Sequence, residues 1–285
     1  MKFGTMSILF REQLGTDAHM SYVESLTRIA RAVFRVADLN LCQLCAHKTT
    51  LHQDNWQEET EKIAQAANRL GIELAQCHLP FKSAKVKWQT PEDYAYYLQM
   101  FYRAIDVAAM LGIPWAVVHP EKNAAHPEWT RAQHFEANHR EFDPIVEYAL
   151  GKGLGIAFEN MHTGFCSQAE DLAARIESFG DTRVGACWDT GHAHIQYKGD
   201  QWGPLHVIGH RLHCTHIADN RGETDLHLLP WEGHIQWPRV MAAFKDIQYP
   251  GALILEPAIN YWAPDALKDE NGRHAYEVAK LLSEL

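Results

Sequence analysis

No apolar run in the sequence approaches the ~18 residues of a membrane helix, and its start, Met1-Lys2-Phe3-Gly4-Thr5, lacks the apolar region of a secretory signal. The expectation is a cytoplasmic protein with no membrane partner. Cysteine is sparse: six in 285 residues, at positions 42, 45, 77, 166, 187 and 214, do not make a dense disulfide framework. Reduced thiols are expected. Positive charge is also short, since 26 Lys plus Arg face 36 Asp plus Glu and leave the chain ten charges negative. Nucleic-acid affinity depends mostly on Lys and Arg displacing counterions, so the balance argues against a nucleic-acid partner and suits metal cations or small polar substrates. No Pro-, Gly- or Ser-rich linker divides the chain, and no glycine-rich phosphate loop or Gly-x-Ser-x-Gly elbow occurs in it.

What is present is ordinary globular composition, 46% hydrophobic and 22% charged, with 18 histidines, as many as glycines. One phrase recurs: Leu70-Gly71-Ile72, Leu111-Gly112-Ile113 and Leu154-Gly155-Ile156, each closing a helical pattern and opening an apolar run. It reads as a helix ending on a left-handed glycine and leading directly into a strand. Thr90 and Pro91 mark a helix start, and Ser167-Gln168-Ala169-Glu170 has the form of a capping box.

Strands are predicted at Lys2 to Ile8, Leu39 to Cys45, Ile72 to His78, Trp115 to His119, Gly155 to Glu159, Val184 to Asp189, Leu212 to Ile217 and Ala252 to Glu256. Helical patterns fall between them, at Met20 to Ala37, Gln57 to Leu70, Pro91 to Leu111, Arg131 to Gly151, Gln168 to Ser178, Pro204 to His210, Trp237 to Lys245 and Pro264 to Leu285. Alternating strands and helices imply parallel pairing through right-handed crossovers. Eight units in 285 residues, about 36 each, fit an α/β fold of one domain over residues 1–285, a single (β/α)8 TIM barrel. The rival, an open doubly wound sheet, lacks its phosphate fingerprint after the first strand.

Active sites of such barrels lie at the C-terminal strand ends. Here those ends read His78, His119, Glu159, Asp189 (with His192 in the loop), His216 and Glu256, and the loop after the seventh strand adds Asp225-Leu226-His227. A lone histidine or carboxylate at a strand end is ordinary framework, hydrogen-bonded or paired with an arginine. Six successive ends of this kind, each preceded by apolar residues, point instead to a cation that compensates buried carboxylates. Asp225 and His227, two apart, would face the same way in an extended segment. Cys42 and Cys45 have the spacing of half a zinc knuckle but lack a second pair and fall inside a predicted strand. His47, His194, His206, His210 and His213 read as surface or framework. Trp115, Trp188 and Trp231 flank site residues, where either a sugar pocket or core packing accounts for them.

These residues resemble the xylose isomerase-like barrel superfamily, which groups sugar isomerases and epimerases, inosose dehydratases and apurinic endonucleases of the endonuclease-four type. The resemblance covers almost the whole chain. It is carried by Phe158-Glu159-Asn160, Trp188-Asp189-Thr190-Gly191-His192, His216-Ile217-Ala218-Asp219, Pro230-Trp231-Glu232-Gly233 and Leu255-Glu256. It implies that Glu159, Asp189, His216 and Glu256 hold one divalent ion, Mn, Mg, Co, Fe or Zn, with Glu159 and Glu256 as the catalytic carboxylates. His192 and Arg221, together with His78 and His119, would hold a small sugar or cyclitol. The implied activity is sugar isomerisation or epimerisation by proton transfer beside a metal-bound carbonyl. The alternatives are an inosose-type dehydratase, a non-catalytic sugar- or metal-binding barrel, and an endonuclease-like phosphodiesterase with up to three zinc ions. In the last, His78 and His119 would complete one metal, and His192, Asp225 and His227 another. Phe3-Gly4-Thr5-Met6-Ser7 departs from the Gly-Ala-His-Val-Ser opening of the endonuclease branch. Proteins of this kind are commonly dimers or tetramers, so a homo-oligomer is expected.

Overall fold

A computed structural model describes residues 1–7, 21–46, 49–81, 90–120, 128–164, 166–257 and 263–285. Eight strands, β1 (Lys2–Met6), β2 (Val36–Asn40), β3 (Glu73–His78), β4 (Trp115–Val118), β5 (Gly155–Glu159), β6 (Val184–Asp189), β7 (Leu212–His216) and β8 (Ala252–Leu255), pair in parallel in the order 7-6-5-4-3-2-1-8. The ring closes between β7 and β8. There Ile217 N–H donates to the Ile254 carbonyl at 2.7 Å, Glu256 N–H donates to the Ile217 carbonyl at 3.0 Å, and the Thr215 hydroxyl donates to the Ala252 carbonyl at 2.8 Å. The expected (β/α)8 barrel is therefore what forms.

Helices α1 (Tyr22–Arg31), α2 (Trp56–Leu70), α3 (Pro91–Met110), α4 (Arg131–Gly151), α5 (Ala169–Glu177), α6 (Thr190–Tyr197), α7 (Trp202–Ile208), α8 (Trp237–Asp246) and α9 (Asp265–Glu284) connect the strands. Their buried residues, such as Leu26, Ile63, Phe101, Ile145, Leu172 and Phe244, form one large cluster with strand residues such as Leu39, Ile156 and Trp188. No helix among the described residues is long and apolar enough to cross a membrane.

Several local readings need correction. The second strand lies at Val36–Asn40, earlier than Leu39 to Cys45, because Asp38 and Asn40 are buried polar residues of the barrel and Cys42–Ala46 is a 3-10 turn. The first helix stops at Arg31 rather than Ala37; Val33 turns the chain in a left-handed conformation (φ 75°) without a glycine to signal it. Ile8, Met20 and His47 lie outside the described residues. Thr90 caps α3 with a complete box through Asp93, but α5 is capped at Gln168 with no side-chain bond.

The recurring glycine behaves as expected at Gly71 and Gly112, with φ of 63° and 67°, but not at Gly155. Gly153 is the left-handed residue there, and Gly155 opens β5, where a Cβ would sit 2.5 Å from the Trp115 ring. Gly155→Ala should therefore cost about 1–3 kcal/mol by overpacking, measured as a lower urea midpoint at unchanged slope; an unchanged midpoint would contradict this packing.

Candidate metal centre at the barrel mouth

The barrel interior changes character along its axis by simple alternation. Val117, Ala157, Cys187 and Cys214 form a small apolar layer inside the barrel. Two residues further along each chain come His119, Glu159, Asp189 and His216, which the period of two places on the same inner face. On the neighbouring strands Gln76 leads to His78 and Ile254 to Glu256 in the same way. Glu159, Asp189, His216 and His78 are all buried.

Glu159 is the hub. Its Oε2 lies 3.1 Å from His119 Nε2 and 3.4 Å from His78 Nε2, and its Oε1 lies 3.3 Å from both His192 Nδ1 and His216 Nδ1. The same His216 nitrogen is 3.3 Å from Glu256 Oε2. Glu159, Asp189, His216 and Glu256 offer donor atoms all within 4.8 Å of one another, as do His78, Glu159 and His216. Glu256 keeps 18% of its side chain exposed against 2% for Glu159, so it is the carboxylate that faces the open mouth.

Asp189 divides its two oxygens. Oδ1 accepts the His192 N–H at 2.6 Å and so caps α6, a helix that the sequence reading missed because it starts directly at the strand end. Asn160 clamps the same point, donating to the Asp189 carbonyl at 3.0 Å and accepting its N–H at 2.6 Å. This cap brings His192 back over Glu159. Asp225 then links His192 Nε2 (3.3 Å) and His227 Nε2 (2.9 Å) through one oxygen. The expected pairing of Asp225 with His227 is present, but His227 has φ 48°, so a left-handed turn rather than an extended step brings them together.

The residues fit a cation on three observations. First, Glu159 Oε2, Asp189 Oδ2, Asp225 Oδ1 and both His216 nitrogens are shielded from solvent without a hydrogen bond of acceptable geometry. Such groups are costly unless something else satisfies them. Second, the imidazole tautomers point the right way. His78, His192 and His227 each place Nδ1 at 2.8–2.9 Å from a backbone carbonyl, of Leu79, Asn160 and Glu256 respectively, which can only accept. Their Nε2 lone pairs are left facing carboxylates, and His78 Nε2 also faces His119 Nε2 at 3.1 Å. That arrangement needs a cation or extra protons, and a histidine anchored through its other nitrogen is the usual metal-ligand geometry. Third, the ionisation states of the cluster depend on one another. Burial pushes Asp189 up to about 7, aided by the charges of Glu159, Asp225 and Glu256 and opposed by His192. Burial likewise pushes His119 down to about 4. Burial would also raise Glu159, but His216 and His119 override it and hold the carboxyl well below its usual range. Burial opposes the charged form of His78, His192, His216 and His227 as well, but the carboxylates around them, with a cysteine beside His78 and another beside His216, override it and raise all four, so protons occupy the places that a divalent ion would fill.

Arg221 sits exposed in the loop after β7 and makes no hydrogen bond or ion pair among the described residues. Trp188 is fully buried and Trp115 stacks on His213 at 3.9 Å, so both are packing residues, while Trp231 is 48% exposed. His194 is buried away from the hub, and His206, His210 and His213 also stay outside it. Cys42 and Cys45 are free thiols on the 3-10 turn, and Cys42 Sγ approaches His78 Nδ1 at 3.1 Å. Asp219 ties the Pro230-Trp231-Glu232-Gly233 loop down, accepting from Trp231 N–H (3.0 Å), Ile235 N–H (3.1 Å) and Trp237 Nε1 (2.9 Å).

Three residues at the mouth escaped the sequence reading: Asp38, Gln76 and His162. Asp38 Oδ2 stands 3.7 Å from His216 Nε2 and accepts from Gln76 Nε2 at 2.8 Å, while Gln76 also donates to the Thr215 carbonyl at 3.2 Å. A carboxylate thus backs the histidine on the side away from Glu159. Correct placement of β2 would have put Asp38 on the inner face.

Fold and site together define a (β/α)8 barrel whose mouth carries His, Glu and Asp clusters able to hold a metal ion. Residues 32–277 match the family profile described as xylose isomerase-like TIM barrel, and the chain belongs to that family. An uncharacterized protein of Sinorhizobium fredii is 30% identical over 162 residues, 56% of this chain and 52% of its own length. The match thus spans about half of that relative. A D-psicose 3-epimerase of Enterocloster bolteae is 21% identical over 272 residues, 91% of this chain and 83% of the relative. The crystal structure of a D-tagatose 3-epimerase-like protein superposes with a TM-score of 0.75 at 20% identity, covering 100% of this chain and 98% of that one.

If Asp38 orients His216, Asp38→Asn should weaken divalent-ion affinity by about 10- to 100-fold with the fold intact. Equilibrium dialysis alongside circular dichroism checks this, and wild-type affinity in the variant would remove Asp38 from the site.

Proposed function

We propose that the protein is a divalent-metal-dependent sugar isomerase or epimerase acting on a small ketose, aldose or cyclitol. The observation that carries the reading is the convergence of two carboxylates from separate strands, Glu159 and Glu256, on one His216 nitrogen at 3.3 Å each beside Asp189. The likeness to the D-psicose 3-epimerase supports it.

Glu159, Asp189, His216 and Glu256 would hold the ion, which supplies Lewis acidity to a sugar carbonyl and the hydroxyl beside it. The chain's own groups then move the proton. Glu256, at the open mouth, takes the hydrogen from the acidified carbon. Glu159, kept ionised at rest by its imidazole shell, would return a proton that it first draws from a protonated neighbour such as His78, 3.4 Å from its Oε2, and the proton taken by Glu256 would restore that neighbour between turnovers. Two carboxylates on different faces of a flattened carbon permit inversion, whereas one acting alone favours isomerisation. His192, with Nδ1–H anchored on the Asn160 carbonyl, and Arg221 from the loop after β7 fix neighbouring hydroxyls. His78 and His119 hold Glu159 from below the substrate.

One observation favours a second reading, a phosphodiesterase with up to three zinc ions. Glu159 joins the His78 and His119 side to the His216 side, and Asp225 joins His192 to His227, so all nine residues of that arrangement lie in one connected cluster. A net charge of minus ten opposes a DNA substrate. Cleavage of an oligonucleotide at an abasic site would establish it.

For the first reading, Glu256→Gln should slow deuterium exchange at the carbon beside the carbonyl of D-psicose or D-tagatose by at least about 100-fold, measured by proton NMR in heavy water. Retained exchange would remove Glu256 from its role, and no exchange with any ketose in the metal-loaded wild type would remove the activity itself.

A further inference from the structure

Two cysteines stand one turn apart after β2, and no role above uses them. They belong to the 3-10 helix Cys42–Ala46. Three residues complete a turn of such a helix, so Cys42 and Cys45 eclipse, and a rise of ~2.0 Å per residue sets their Cα atoms roughly 6 Å apart. A disulfide spans Cα separations of about 4.4–6.8 Å. Cys42 Sγ lies 3.1 Å from His78 Nδ1, and the opposite nitrogen of that ring lies 3.4 Å from Glu159 Oε2. We infer that Cys42 and Cys45 form a dithiol that takes a peroxide as oxidant, and that its closure to a disulfide releases His78.

Access divides the roles of the two thiols. All six cysteines are free, and Cys42 is the one that keeps partial exposure, the other five being buried. Burial, reinforced by Cys42, pushes the Cys45 thiol up to about 12, so Cys45 keeps its proton until the oxidant has reacted. An accessible thiol next to a resolving one is the arrangement that thiol oxidants exploit. In the first step the Cys42 sulfur attacks the peroxide: the O–O bond breaks, a sulfenic acid forms and one water leaves. In the second the Cys45 sulfur attacks the sulfenic sulfur: the S–S bond forms, and the sulfenic hydroxyl takes the Cys45 proton and leaves as a second water. The two thiols together give up two electrons, and the peroxide takes them.

The reduced pair bears on the mouth through the sulfur of Cys42. Sγ accepts from His78 Nδ1, which also donates to the Leu79 carbonyl at 2.8 Å, and the thiol itself donates to that carbonyl at 3.5 Å. Turning Sγ towards Cys45 breaks both sulfur contacts and leaves the ring one anchor fewer. His78 then holds Glu159 less firmly. Oxidation slows the chemistry at the hub, and reduction restores it.

The effect on turnover rests on the proposed sugar chemistry, whereas the disulfide and the release of His78 do not, and the test separates them. The reduced full-length protein is treated with a small excess of hydrogen peroxide, blocked with an alkylating agent and mapped by peptide mass spectrometry. Wild type should give a Cys42–Cys45 link that dithiothreitol reverses. The NMR signal of the His78 ring, assigned with His78→Gln, should shift on oxidation and return on reduction. Cys45→Ser and Cys45→Ala should instead hold a sulfenic acid at Cys42 that dimedone traps. Deuterium exchange with D-psicose should fall by at least about tenfold in oxidised wild type and recover with dithiothreitol. No link between Cys42 and Cys45, a link with an unmoved His78 signal, or undiminished exchange in the oxidised protein would overturn the inference. A link and a shifted signal in a protein that exchanges no ketose even when reduced would uphold it and remove the sugar reading.

Discussion

A carboxylate with almost no access to water, surrounded by imidazoles from four different elements, governs the arrangement of the barrel mouth. Glu159 touches His78 on β3, His119 just past β4, His192 on α6 and His216 on β7, each at 3.1–3.4 Å. Such a charge deep in a protein is unfavourable unless it is compensated, and the compensation has to come from several directions at once. The strand order supplies those directions. Beneath the hub, small apolar residues fill the barrel, so the polar layer begins at one level and the side chains of successive strands meet there. Removing any one imidazole would alter the balance for the rest, which is why the cluster behaves as a unit.

Orientation matters as much as proximity. Three of the histidines are turned by backbone carbonyls so that Nε2 points inward, and Asp189 is held by its role as a helix cap so that only one oxygen remains to be offered. Each ligand candidate is thus fixed through an atom that does not take part. The protein's surplus of negative charge belongs partly here: Asp38, Glu159, Asp189, Asp225 and Glu256 lie in or against the mouth, where bound cations would offset them.

Much of this was legible in the sequence because alternation is local. A small apolar residue followed two positions later by His, Glu or Asp recurs at Val117, Ala157, Cys187 and Cys214, and it marks both the strand and its inner face. Legibility failed where a polar residue stood inside a strand or where a turn lacked its usual residue. Asp38 and Asn40 disguised β2, and Val33 ended α1 without a glycine. Helix α6 was hidden because its cap is also a site acid. His162 could not be found from spacing, since its approach to His192 depends on how the loop after β5 folds against α6. The role of Arg221 likewise rests on resemblance, because its loop leaves it exposed.

The central claim is that the mouth is built to hold divalent ions. Elemental analysis of the purified protein after extended dialysis, paired with thermal unfolding before and after chelation, tests it most directly. The account predicts at least one divalent ion retained per chain, a melting temperature that falls when the ion is stripped, and recovery when it is returned. A metal-free protein whose melting temperature does not respond to manganese or zinc would contradict it.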